Sequence, residues 1–145
     1  MSLYIDVDGI KVYLKIKNYK TANKDNWDSL WCKCDYSFSS GEWLNYHKED
    51  DEILLCSEIK ELETVLTMLI NGEIKEEKEI NFIEPDFVFN IYPIKDAQNT
   101  VSDILLEWEV YFWHEGLTDN YLSITLDRDE IIKLRDYLSS IIRKR

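Results

Sequence analysis

Apolar and polar positions alternate from the start of the chain: Leu3, Ile5 and Val7 share one side of a first segment, and Ile10, Val12, Leu14 and Ile16 resume the alternation after Asp8-Gly9. A period of two places successive side chains on opposite faces of a strand. Asp-Gly between two such runs suits a type I′ turn, whose central residues both need positive φ, so a hairpin is predicted. Asn18 to Asp28 is polar and reads as a loop. Leu30, Cys32, Cys34, Tyr36 and Phe38 then fall on one face of a third strand, with Trp31, Lys33, Asp35 and Ser37 on the other. Ser39-Ser40-Gly41 is a turn signal, Glu42 to Tyr46 reads as a short returning strand, and the run Glu49-Asp50-Asp51-Glu52 reads as a solvated loop.

The period then lengthens to about 3.6 residues, with Ile59, Leu62, Val65, Leu66, Leu69 and Ile70 in one stripe, which predicts an amphipathic helix. Ser57 is the expected N-cap, and Gly72 can end the helix in a left-handed conformation. Strand signals return at Ile80 and Phe82, pause at Glu84-Pro85, and continue through Phe87, Phe89 and Ile91 until Pro93, which is expected to close the strand. Leu106, Trp108, Val110 and Phe112 define the next buried face. Gly116 to Asn120 turns the chain into Leu122, Ile124 and Leu126. Asp127 with Glu130 three residues on marks a capping-box start for a last helix with the stripe Ile131, Leu134, Leu138, Ile141 and Ile142. A shift of 72 carries Glu58, Ile59, Leu62, Leu66 and Ile70 onto Glu130, Ile131, Leu134, Leu138 and Ile142, so half-repeats 1–72 and 73–145 are one reading and a chance alignment of two amphipathic helices is the other. Runs of strands each followed by a helix predict an α+β fold, mostly antiparallel sheet, rather than a doubly wound parallel sheet.

Composition narrows the class. At 145 residues the chain suits a single domain spanning 1–145, able to bury roughly 70% of its unfolded surface without disulfides or metals. Seventeen Lys and Arg against 29 Asp and Glu leave a net charge of −12. That charge disfavours nucleic acid and anionic membranes, which recruit clustered cations, and favours basic proteins as partners. The dense basic run Arg143-Lys144-Arg145 follows the last helix and complements its dipole. No leader-like pattern or bilayer-length apolar stretch is visible, and three cysteines are an odd number for a disulfide framework, so a cytoplasmic protein is expected.

Candidate chemistry is sparse. Glycines at 9, 41, 72 and 116 cannot write a phosphate-cradling motif, and His47 and His114 are too far apart in sequence for a His-Glu-x-x-His metal site. Cys32 and Cys34 share a strand face with Leu30, Tyr36 and Phe38, which suits core thiols better than a zinc knuckle. Glu107 and Glu109 stand on one strand face about 7 Å apart without special desolvation, a weak acid and base pair. No catalytic residue, cofactor site or metal site is assigned, and no enzymatic activity is expected.

The remaining feature is a surface. The face opposite Leu106, Trp108, Val110 and Phe112 displays Glu107, Glu109, Tyr111 and Trp113, with Trp31, Asp35 and Tyr92 expected beside them. Aromatic anchors rimmed by carboxylates suit recognition of a basic protein. The same aromatics would also suit burial under a loop, a second layer of strands, or a homodimer.

Trp27 before a strand, the Phe38 to Leu44 turn, the E-I-x-x-L-x-x-x-L helix from Glu58 ending in Asn71-Gly72, the segment Phe82-Ile83-Glu84-Pro85-Asp86-Phe87 and a closing strand-to-helix unit are together similar to the WapI-like family of bacterial immunity proteins. The resemblance covers most of the chain. It implies a small acidic cytosolic protein that binds a basic toxin domain of the polymorphic, contact-dependent kind and blocks it stoichiometrically, without turnover. It assigns no toxin-contacting residues. The rival expectation is a homodimeric or scaffold domain without enzymatic activity.

Overall fold

The computed structural model describes residues 1–143, so Lys144 and Arg145 of the basic run lie outside the described residues. Two helices and two four-stranded antiparallel sheets make an α+β fold dominated by sheet. The first sheet runs β1 (Leu3–Val7), β2 (Ile10–Lys17), β3 (Trp31–Ser40) and β4 (Leu44–Leu55), in chain order, and leads into α1 (Cys56–Ile70). The second runs β5 (Lys78–Ile80), β6 (Phe87–Lys95), β7 (Val101–Trp113) and β8 (Leu117–Leu126), and leads into α2 (Arg128–Arg143). The first hairpin turns through Asp8 and Gly9, both at positive φ, as the Asp-Gly step predicts.

The shift of 72 extends beyond the helices. Cys32, Cys34, Tyr36 and Phe38 on β3 correspond to Ile104, Leu106, Trp108 and Val110 on β7, and all eight are buried. The inward faces of both sheets and both helices join one hydrophobic core. Within it Phe38 meets Trp108 edge-on at 5.3 Å between ring centroids, and Tyr36 meets Phe87 at 4.9 Å. Tyr137 of α2 reaches across, its hydroxyl accepting the Ile16 N–H at 2.8 Å.

Four local expectations are corrected. The run Glu49 to Glu52 lies within β4, not in a loop: Lys17 pairs with Asp35 at 2.9 Å and with Asp50, Asp35 accepts the Asp50 N–H, and irregular register opposite Cys34 absorbs Asp50 at φ 51°. Helix α1 starts one residue before Ser57. The N-cap residue Leu55 is held by Glu58, whose Oε1 accepts the Leu55 N–H at 2.9 Å, while the Ser57 hydroxyl donates to the Trp27 carbonyl. Pro93 does not end its strand, because β5 pairs only with Phe89 to Ile91 and leaves the rest of β6 an edge, where a proline is tolerated. The β7–β8 turn is tighter than expected, with Glu115 and Gly116 at positive φ and β8 already under way at Leu117. The caps at Gly72 (φ 76°) and Asp127 match the sequence reading: Asp127 Oδ1 accepts the Glu130 N–H and Glu130 Oε1 accepts the Asp127 N–H, each at 2.9 Å.

Candidate partner-binding face

Strand alternation fixes the outer face of the second sheet. Because Leu106, Trp108 and Val110 point into the core, Glu107, Glu109 and Tyr111 point away from it. Register then sets Asn90 opposite Glu107, Tyr92 opposite Leu105 and Tyr121 opposite Tyr111. These residues form a connected array. The Asn90 side-chain amide donates to Glu107 Oε1 at 2.7 Å and to Glu109 Oε2 at 3.0 Å. The Ser123 hydroxyl donates to the other Glu107 oxygen at 2.8 Å, and the Tyr111 hydroxyl to the other Glu109 oxygen at 3.3 Å. Tyr111 and Tyr121 rings lie 4.8 Å apart. Partial burial and the neighbouring Glu107 charge raise the Glu109 carboxyl above its ordinary range, and partial burial with the Glu109 charge does the same for the Tyr111 phenol. All four carboxylate oxygens are held by internal donors and keep further lone pairs for an incoming cation. Such fixed side chains lose little freedom when a partner arrives.

The structure brings together Tyr92, Glu107, Glu109 and Tyr111, and separates the other three candidates. Trp31 and Asp35 belong to β3 of the first sheet and alternate with its buried residues, so they are not on the outer face of the β5–β8 sheet. Asp35 is engaged by Lys17. Trp113 sits past an irregularity in the β7–β8 register after Tyr111, which turns it toward the first sheet. Its indole N–H donates to Asp86 Oδ2 at 2.5 Å, its backbone N–H donates to the Tyr46 hydroxyl at 3.1 Å, and Lys48 Nζ lies 5.4 Å from its ring centroid. Asn90, Ser123 and Tyr121 were not among the sequence candidates. Asn90 alternates with Val88 and Tyr92 in the sequence, yet only cross-strand register shows that it bridges two glutamates.

Among the described residues no three His, Cys, Asp or Glu side chains are grouped to hold a metal ion. Cys32, Cys34 and Cys56 are free and buried. Among the described residues no helix is long and apolar enough to cross a membrane.

The fold and this face define a sheet-rich α+β chain with a carboxylate and tyrosine array on one sheet. The family comparison gives that class its identity: the model of the immunity protein WapI-like family matches residues 3–144, and the chain belongs to that family. No curated protein matches the chain.

Proposed function

We propose that this chain is a non-catalytic immunity protein, acting in the cytoplasm, that neutralises a basic toxin domain by one-to-one binding through the outer face of the β5–β8 sheet. Family membership supports the immunity role, and the observation that carries the choice of face is the pair Glu107 and Glu109 locked by Asn90, Ser123 and Tyr111. With a net charge of −12, long-range attraction steers a basic partner inward, and the tyrosines supply contact area that excludes water around the carboxylates. Two copies of this face would bring like charges together, which disfavours the homodimer reading.

The test is affinity capture with the whole protein as bait, followed by titration with the captured domain. The expected result is a basic domain in one-to-one stoichiometry, released by high salt, whose affinity falls about 100-fold in Glu107→Gln/Glu109→Gln. An unchanged affinity in that variant sinks this face as the docking surface, and a bait recovered only as its own salt-stable dimer sinks the inhibitor reading.

A further inference from the structure

The core of the first half carries a pair of sulfurs that partner binding does not use. Cys32 on β3 and Cys56 at the first position of α1 are both fully buried, 24 residues apart in sequence, with their Sγ atoms 3.1 Å apart. Cys34, two residues along the same strand face, is also buried, yet only Cys32 and Cys56 are in sulfur contact. The contact is a product of the fold: the Cys56 N–H donates to the Leu30 carbonyl at 2.9 Å, which ties the start of α1 to the start of β3.

Access is one-sided. Neither sulfur is exposed, but a cavity of about 270 Å³, lined by Tyr19, Asn23, Trp27, Lys60 and Ile142, borders Cys56 and not Cys32, so Cys56 is the one nearer to an entering oxidant. The Lys20 backbone N–H donates to Cys56 Sγ at 3.4 Å, and this sulfur stands at the positive end of the α1 dipole. Burial pushes the Cys32 thiol well above its ordinary range, and Cys34 up to about 12, so both remain protonated thiols.

We propose that Cys32 and Cys56 are an oxidisable dithiol that closes to a disulfide, with a small hydroperoxide as oxidant and Cys56 as the sulfur oxidised first. In the first step Cys56 Sγ gives an electron pair to the distal peroxide oxygen. The O–O bond breaks, the S–O bond forms, and the departing alkoxide, or hydroxide from hydrogen peroxide, takes the Cys56 thiol proton and leaves as an alcohol or as water. In the second step Cys32 Sγ attacks the sulfenic sulfur, the S–S bond forms, the S–O bond breaks, and the departing hydroxide takes the Cys32 proton as water. The two sulfurs together lose two electrons and the peroxide gains them. The bridge ties β3 to α1 across the β3–β4 hairpin and restricts the unfolded chain.

The experiment is exposure of the folded, reduced protein to hydrogen peroxide, followed by intact mass, thiol counting after denaturation and peptide mapping. The expected result is a loss of two hydrogen masses, a fall from three free thiols to one, and a single Cys32–Cys56 cross-link. Tm should rise by about 10 °C and return on adding dithiothreitol. Cys34→Ser should form the same bridge at the same rate, and Cys56→Ser should form none. A cross-link through Cys34, a bridge between molecules, accumulation of sulfinic acid on Cys56 without a bridge, or retention of all three thiols in the folded protein would each overturn the assignment.

Discussion

Asp86 shows how one side chain fixes the end of β7 against the entry to β6 and what that costs. It is fully buried just before β6, its carbonyl accepts the Tyr111 N–H at 2.8 Å, and its carboxylate accepts the Trp113 indole. Among the described residues its second carboxylate oxygen has no hydrogen-bond partner, and burial raises its pKa from 3.8 to about 6 despite the indole bond. The folded state therefore keeps a proton that the unfolded chain releases near pH 4. Between about pH 4 and 6 the native form binds more protons, so stability falls as pH rises through that window and levels off above it. Asp86→Asn retains an oxygen for the indole and removes the ionisation. Equilibrium urea titrations from pH 4 to 7 should show the wild type losing about 1–2 kcal/mol relative to the variant, all of it below about pH 6.5. Parallel profiles would mean that the carboxyl is ionised at no cost in the fold.

At the scale of elements, the two helix starts test how far the halves are equivalent. Glu58 and Glu130 are related by the shift of 72, and each reaches back to the backbone N–H three residues earlier. Glu58 does more, because its Oε2 also accepts the Ile83 N–H at 2.9 Å and ties α1 to the segment entering the second sheet, and it is buried where Glu130 is half-exposed. Glu58→Ala should cost about 2–3 kcal/mol in urea unfolding, against about 0.5–1 kcal/mol for Glu130→Ala; equal losses would show that the link to Ile83 contributes nothing. The same comparison marks what was readable in the sequence. Asp127 and Glu130 announce their cap by residue type alone, whereas Leu55 offers no side-chain acceptor, so Ser57 looked like the cap. Alternation placed Glu107, Glu109 and Tyr111 together because they share one strand. Asn90, Ser123 and Tyr121 depended on pairing between strands, and Trp113 on a register irregularity, neither of which a single segment encodes. The acidic stretch of β4 was hidden because what holds it is remote in sequence: Lys17 pairs with Asp50, and Asp35 accepts the Asp50 N–H.

For the whole molecule, the deciding fact is that neither sheet has a core of its own. The inward faces of β3 and of β6 and β7 meet through Tyr36, Phe38, Phe87 and Trp108, and the Tyr137 hydroxyl of α2 accepts the Ile16 N–H of the first sheet. A chain ending at residue 72 would expose the apolar face of β3 and of α1 to water, and removing large core aromatics alone costs about 3–5 kcal/mol each, comparable to the whole stability of a small domain. The outer faces, by contrast, are held by bonds within each sheet, so a partner on the β5–β8 face leaves the shared core untouched. The intact chain should unfold in one transition, with far-ultraviolet circular dichroism and tryptophan fluorescence giving the same midpoint and slope in urea. The 1–72 fragment should lack near-ultraviolet signal and melt without cooperativity. Two separated transitions, or a fragment that melts sharply, would mean that each strands-then-helix half closes its own core and that the aromatic contacts between the sheets are incidental to stability.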